Sequence, residues 1–215
     1  MAGDSCASSN ANNVGVVLAG GRSSRMGENK ATMVFAGEPL LRRVVGGLST
    51  AVENTLVIGP EPLQPLVPDV RVVPDLVLGA GPLGGLYTAL KITTAVRVFL
   101  VACDMPFIQP SLVRAMLVAS ANNEEAQAVI LSDQGRVQPL HAVYTRACLP
   151  AVERALSFDD HSLRSLLSQL FVLTMDAEIV RREDLRGISA FNVNTPEDWR
   201  SALRLAAELA SSGDG

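Results

Sequence analysis

The sequence predicts an α/β protein, a three-layer α/β/α sandwich built on a mostly parallel sheet. Three observations carry that expectation. Short Val-, Ile- and Leu-rich runs alternate with amphipathic stretches from residue 14 to about residue 125, the first run ends in paired glycines, and Gly or Pro closes the next two. Composition agrees: 215 residues at 48% hydrophobic and 19% charged can build one sizeable core, which excludes a largely disordered chain. The apolar run at 98–103 is six residues, far below the roughly 18 that a membrane span needs. A net charge of −4 without a basic run argues against nucleic acid, so neither a membrane nor a nucleic-acid partner is expected.

The elements follow in order. Residues 1–13 are mostly Ser, Asn, Ala and Gly without Lys or Arg, and read as a disordered tail rather than a secretory signal. Residues 14–18 are a buried strand leading into a glycine loop. Leu40, Leu41, Val44, Val45 and Leu48 share one helical face. The β-branched runs at 55–58 and 70–73 are strands, and Leu83, Leu86 and Leu90 mark a helix. Residues 96–102 form a strong buried strand, and Leu112, Val113, Met116 and Leu117 mark the next helix. Beyond residue 125 come a strand at 128–131, a turn at Asp133-Gln134-Gly135, a strand at 137–144, and a helix carrying Leu163, Leu166, Leu167 and Leu170. The last helix has Thr195 as cap, Pro196 at its first position and Asp198 three after the cap, with Trp199, Leu203, Ala206 and Ala210 as its apolar face. A single domain is expected over 14–210, with halves at about 14–125 and 126–200, and a tail at 211–215. No internal repeat or dividing linker is present. Cys6, Cys103 and Cys148 are scattered and form no CxxC, which suggests reduced thiols and a cytoplasmic setting. The chain is compatible with a monomer.

The chemistry concentrates in the first loop, Leu18-Ala19-Gly20-Gly21-Arg22-Ser23-Ser24-Arg25-Met26-Gly27-Glu28-Asn29-Lys30. Glycines at a strand end expose backbone N–H groups that can wrap a polyphosphate, and Arg25 and Lys30 add positive charge at the loop's far end. The spacing fits neither a Walker A loop nor Gly-x-Gly-x-x-Gly. A plain glycine turn with solvated arginines is the competing reading. The chain uses sixteen arginines and two lysines, so Lys30 stands against a strong bias; a compact point charge is wanted there. Asp104 closes the six-residue apolar run, where a parallel strand delivers its C-terminal end to the ligand side. It could instead cap a helix begun by Pro106.

These residues resemble a family. Leu-Ala-Gly-Gly-x-Ser-x-Arg-Met-Gly-x-x-Lys is similar to the signature loop of the molybdenum cofactor guanylyltransferases (MobA type) among the small nucleotidyltransferases. Four further segments resemble that family in order: Val73-Pro74-Asp75 with Gly81-Pro82-Leu83-Gly84-Gly85, then Cys103-Asp104-Met105-Pro106, Gln138-Pro139-Leu140-His141-Ala142-Val143-Tyr144, and Asn192-Val193-Asn194-Thr195-Pro196-Glu197. The resemblance implies a Rossmann-like, GT-A-like nucleotidyltransferase fold and an Mg²⁺-dependent transfer of GMP from GTP to the phosphate of a molybdopterin-type acceptor. It implies GTP contacts from Leu18, Ala19, Gly20, Gly21, Lys30, Asp75 and Gly84, with Arg25 on the triphosphate and Asp104 on both nucleotide and Mg²⁺. Arg25, Lys30 and Asp104 are the expected catalytic groups. The chain departs from the family at Asn29, where an Asp is usual, and at Ile58-Gly59-Pro60, which offers no Asn.

Alternatives remain open at this point: CTP or another small phosphate acceptor, because the loop reads phosphates and not bases, or a nucleotide-binding accessory protein without turnover. Asn192 and Asn194 alternate along an expected strand and serve either turn and cap chemistry or the acceptor. His141 is read as an acceptor-side contact, His161 as a surface residue at a helix start, Cys103 as a small core residue, and residues 181–184 as a solvated turn.

Overall fold

The computed structural model describes residues 12–20, 29–133, 136–158 and 161–212. Among them a seven-stranded sheet is built from β1 (Asn13–Leu18), β4 (Thr55–Ile58), β5 (Arg71–Val73), β6 (Arg97–Ala102), β7 (Ala128–Asp133), β8 (Arg136–Thr145) and β9 (Val172–Thr174), in the order β5-β4-β1-β6-β8-β7-β9. A separate two-stranded hairpin pairs β2 (Val34–Phe35) with β3 (Glu38–Pro39). The first four sheet strands run parallel; β8 is antiparallel to both β6 and β7, and β9 returns parallel to β7. The three-layer α/β/α architecture and mostly parallel sheet are as the sequence predicts.

Helices cover both faces. On one lie α1 (Leu40–Ser49), α3 (Pro110–Ala121) and α6 (Ala177–Glu183), packed on Val17, Phe99, Val101, Val129 and Val143. On the other, α2 (Gly81–Ile92), α4 (Leu149–Leu156) and α5 (Leu163–Leu167) pack on Val16, Leu18, Val98, Leu100 and Tyr144. Adjacent strand residues thus serve opposite layers, as the two-residue strand period requires. Two glycines let helices approach β1 closely. A Cβ on Gly15 would stand 2.7 Å from Leu48, and one on Gly85 would stand 2.7 Å from Leu18 Cδ2.

A third cluster joins α7 (Pro196–Ser211) to the β2–β3 hairpin. Trp199, Phe35, Phe107 and Phe191 form a chain of edge-to-face rings with centroids 5.4–6.0 Å apart. The capping box predicted at Thr195 and Asp198 is present. The apolar face of α7 differs from expectation: Ala202 and Ala206 are buried with Leu205 and Leu209 beside them, while Leu203 and Ala210 face outward. α7 docks on the aromatic chain, which rotates its contact stripe by one residue. Similarly, α5 stops at Leu167, short of Leu170, and residues 181–184 end α6 instead of forming a solvated turn. Asp184 there is buried, its carboxylate accepting from the backbone N–H groups of Ile188 and Ser189 at 3.0 and 2.8 Å.

The chain moves outward from β1 through β4 to β5, then crosses back to place β6 on the other side of β1. The C-terminal ends of β1 and β6 therefore flank a topological switch point, where open α/β sheets leave a crevice for ligands.

Candidate active site

A cleft of about 430 Å³ opens at that switch point. The strand ends supply its floor: Leu18, Ala19 and Gly20 follow β1, and Cys103, Asp104 and Met105 follow β6. Ala19 donates its N–H to Ile58 O at 2.8 Å and Cys103 donates to Leu18 O at 3.0 Å, so backbone hydrogen bonds continue the sheet one residue into the cleft and fix its floor.

Asp75, just beyond β5, is half-buried and comes within 3.1 Å of where a Cβ on Gly20 would sit. Glycine at position 20 thus leaves room for the carboxylate. One oxygen, Oδ1, is buried without a hydrogen-bond partner; burial raises the Asp75 pKa above its ordinary 3.8, opposed by the nearby Thr88 hydroxyl. Thr88 also accepts from Leu76 N–H at 3.0 Å, which fastens the Asp75 loop to α2. Gly81, Pro82 and Gly85 bring the start of α2 to the same wall. Gly84 is turned elsewhere: a Cβ there would meet Val77 O at 2.8 Å, so Gly84 lets α2 pack under the preceding loop and does not line the cleft.

Lys30 enters from the opposite side. Asn29 caps the 3-10 turn Lys30–Thr32, its Oδ1 accepting from Ala31 N–H at 3.1 Å, and Ala31 is buried. This turn aims Lys30 across the cleft. Its Nζ lies 3.2 Å from Asp104 Oδ2 and 3.1 Å from Asn194 Oδ1. The side chains of Lys30 and Asp104 retain only 13% and 19% of their exposure, so this pair is far drier than a surface salt bridge. The second oxygen, Asp104 Oδ1, is buried and has no hydrogen-bond partner. Asp104 is not a helix cap: α3 begins at Pro110 and its N-cap residue is Gln109, because residues 104–109 form an irregular segment first.

Asn192 and Asn194 both line the cleft, in an irregular segment and not on a strand. Val193, buried between them, donates to Asp104 O at 2.9 Å, which ties the segment to the end of β6. Two other residues depart from expectation or were missed. His141 is fully buried on the far side of β8, edge-on to Phe99 at 5.0 Å, and does not contact the cleft; its neighbours Gln138, Pro139 and Leu140 do. Arg164 of α5 also lines the cleft, and no pattern around it in the sequence marked it. Cys103 lines the cleft, and burial first and Asp104 second push its thiol up to about 12, which disfavours the thiolate. Gly21 and Arg25 lie outside the described residues.

The matches with known proteins run along most of the chain. The MobA-like NTP transferase domain matches residues 15–175. A probable molybdenum cofactor guanylyltransferase of Pelotomaculum thermopropionicum is 38% identical over 205 residues, covering 93% of this chain and 95% of that one. This chain belongs to the MobA-like NTP transferases. A second relative bearing the same name, from a Geobacillus species, is 33% identical and covers 86% of this chain and 95% of its own. The crystal structure of a molybdopterin-guanine dinucleotide biosynthesis protein A from Archaeoglobus fulgidus superposes with a TM-score of 0.78 at 26% identity, over 91% of this chain and 99% of that one. The fold of this MobA-like transferase is thus the Rossmann-like nucleotidyltransferase fold its sequence predicts. Among the described residues no helix is long and apolar enough to cross a membrane.

Proposed function

We propose that this MobA-like transferase moves GMP from GTP to the phosphate of a molybdopterin-type acceptor and releases pyrophosphate, in an Mg²⁺-dependent reaction in the cytoplasm. The observation that carries the reading is the convergence of Lys30, Asp104 and Asn194 at the β1–β6 crevice. The names of the two relatives supply the guanylyl group and the acceptor class.

The acceptor needs little chemical activation. A phosphate monoester has its second pKa near 6, so the attacking oxygen is already largely ionised near neutrality, and the residues act by positioning and charge neutralisation. Lys30 would leave Asp104 for the α-phosphate and stabilise the charge that grows there during in-line attack. Gly20 and Gly21 would present backbone N–H groups to the phosphates, and Arg25 would hold the departing pyrophosphate. Leu18 would pack on the base, and the free lone pairs of Asp75 would accept its N–H groups; guanine offers two adjacent N–H positions where cytosine offers one amine. Asn192, Asn194 and Arg164 would hold the acceptor, Arg164 supplying a cation for its phosphate.

A divalent cation fits Asp104. Its Oδ1 is buried and unpartnered, and a hard cation such as Mg²⁺ takes one carboxylate together with phosphate oxygens and water. When bound, Mg²⁺ would supply charge neutralisation on the phosphate oxygens.

The test is pyrophosphate release by purified protein given Mg²⁺, each nucleoside triphosphate in turn and a molybdopterin-type acceptor. Release with GTP that requires the acceptor is expected. Release with CTP in preference to GTP would move the reading to a cytidylyltransferase, and acceptor-independent release would overturn it.

A further inference from the structure

Three separate stretches of chain meet at one buried hydroxyl. Ser189 is fully buried, and its Oγ accepts from Gln109 N–H at 3.0 Å and lies 2.7 Å from His141 Nε2. Its own N–H is held by Asp184 Oδ2 at 2.8 Å. Gln109 introduces α3 and His141 sits within β8, so the hydroxyl links its own segment to two elements distant in sequence, while the local bond to Asp184 at the end of α6 holds the Ser189 backbone.

The proton inventory fixes the direction. A serine hydroxyl donates one proton, and Gln109 already fills one acceptor site on this oxygen. Were His141 Nε2–H to donate to Ser189, the serine proton would have no acceptor and His141 Nδ1 would be an unpaired lone pair. The arrangement with fewer buried orphans has Ser189 donating to an unprotonated Nε2, with the proton on Nδ1, the atom left without a partner. Burial pushes the imidazole down to about 4, so this neutral acceptor persists through the physiological range.

What the bond holds is the front of the segment that delivers Asn192 and Asn194. Three residues past Ser189, Asn192 enters the cleft; at Val193 the segment is tied to Asp104 O, and at Asn194 it reaches Lys30. Phe191 packs its ring on Phe107 in between. The segment has no regular secondary structure of its own, so its position depends on such point attachments.

We propose that His141 is a positioning residue for the acceptor side of the site: through Ser189 it fixes the 188–194 segment and so sets the placement of Asn192 and Asn194. This rests on the reading of those asparagines as acceptor-binding. The ring itself touches no substrate, and its removal should weaken acceptor use while sparing GTP.

The test compares Ser189→Ala, His141→Leu and His141→Gln with the native enzyme; Ser189→Ala is the mildest, should the histidine variants fail to fold. Hydrogen exchange over peptides spanning 188–196 is expected to quicken about tenfold in Ser189→Ala and His141→Leu. The acceptor Michaelis constant should rise about tenfold, with GTP dissociation unchanged within about twofold. His141→Gln, which restores an amide near the Nε2 position, should recover part of both effects. Unchanged exchange overturns the proposal, as does faster exchange accompanied by equal weakening toward GTP and acceptor. Asn192→Ala and Asn194→Ala are measured alongside. If neither moves the acceptor Michaelis constant, the acceptor reading of the asparagines fails, and exchange alone decides whether His141 holds the segment.

Discussion

Lys30 and Asp104 lie 74 residues apart in the chain and 3.2 Å apart across the cleft, and this pair is the ligand-free state of the proposed reaction centre. An ammonium occupies one carboxylate oxygen while the other stays buried and free. The pair keeps two partly dry charges balanced; in the proposed reaction phosphate would claim the lysine and the cation the aspartate. Each partner therefore has a dual duty, and each gives a distinct signature when removed.

Asp104→Asn keeps the size and one acceptor oxygen for Lys30 but loses the charge that would hold a divalent cation. We expect turnover to fall about 10²–10³-fold, the scale of one lost electrostatic contact at a reacting phosphate, with the fold retained. Pyrophosphate release across an Mg²⁺ titration, beside a melting curve, checks this. Full Mg²⁺-dependent activity would place the cation elsewhere.

Lys30→Ala removes the other half. Its effect should fall on kcat, again about 10²–10³-fold, and less on GTP affinity, because in the proposed reaction the ammonium would act on charge that grows during attack. Steady-state kinetics with direct GTP binding separates the two; a change confined to KM contradicts the assignment.

Much of this centre was legible from residue type and order. Asp104 stood out because an uninterrupted apolar run has to end at the ligand edge of a parallel sheet, and Lys30 because it breaks an arginine-rich bias. Arg164 was invisible for the opposite reason: it is one of sixteen arginines, on a five-residue helix, and only the antiparallel return of β8 and the packing of α5 bring it to the cleft. His141 was misplaced because a motif position next to cleft-lining residues says nothing about how far along the strand it sits: His141 pairs with Val101 inside the sheet, whereas residues 138–140 lie beyond its paired length with β6 and reach the cleft. Gly84 and Gly85 look equivalent in sequence, yet one packs under a loop and the other under Leu18, since adjacent helical positions point about 100° apart. The β2–β3 hairpin, α4, α6 and β9 are short or weakly periodic and owe their form to tertiary packing.

Those glycine contacts make a stability prediction. In Gly15→Ala the new methyl would stand 2.7 Å from both Leu48 Cγ and Cδ2 and 2.9 Å from Val52 Cγ2, so two fully or nearly fully buried side chains must shift. A loss of about 1–3 kcal/mol is expected, read as a lower melting temperature with GTP affinity little changed. Gly85→Ala presses on Leu18 Cδ2, a flexible tip that lines the cleft; it should cost less stability and weaken GTP binding more. The reverse ordering would separate Leu18 from the nucleotide.

Asp75 supplies a pH dependence. Burial raises its pKa in the folded state, so between 3.8 and that raised value the folded chain binds more protons than the unfolded one. Stability from this group is therefore present below 3.8 and declines as pH rises through the folded pKa. Nucleotide affinity is expected to run the other way, because on the proposed reading only the ionised carboxylate would have all its lone pairs free for base N–H groups. Asp75→Asn should flatten the stability slope across that window and weaken GTP binding near neutrality. Melting curves and GTP titrations over a pH series check both; a native affinity that rises as pH falls through the window would remove Asp75 from base recognition.

Position 29 is one of two places where the chain departs from the pattern it resembles, and the structure refines what that departure should do. Asn29 caps the turn that aims Lys30, and a carboxylate accepts from Ala31 N–H as well as an amide oxygen does, so Asn29→Asp should leave the melting temperature unchanged. The difference is electrostatic. The sequence suggests a lysine without a carboxylate neighbour, but Asp104 supplies one from across the cleft. A second negative charge beside Lys30 would compete with Asp104 for the ammonium and repel incoming phosphate. Without metal to offset it, that repulsion acts directly on the triphosphate. The native protein should accordingly bind GTP measurably in EDTA, and Asn29→Asp should weaken this metal-free binding by about tenfold or less, since one partly solvated charge is worth about 1 kcal/mol. Saturating Mg²⁺ should shrink the difference, because the cation neutralises the phosphate that the new carboxylate repels. Calorimetric titration of both proteins in EDTA and in Mg²⁺ makes the comparison. Absent metal-free binding in the native chain, or tighter metal-free binding in the Asp variant, would mean that Asn29 acts through its cap and not through its missing charge.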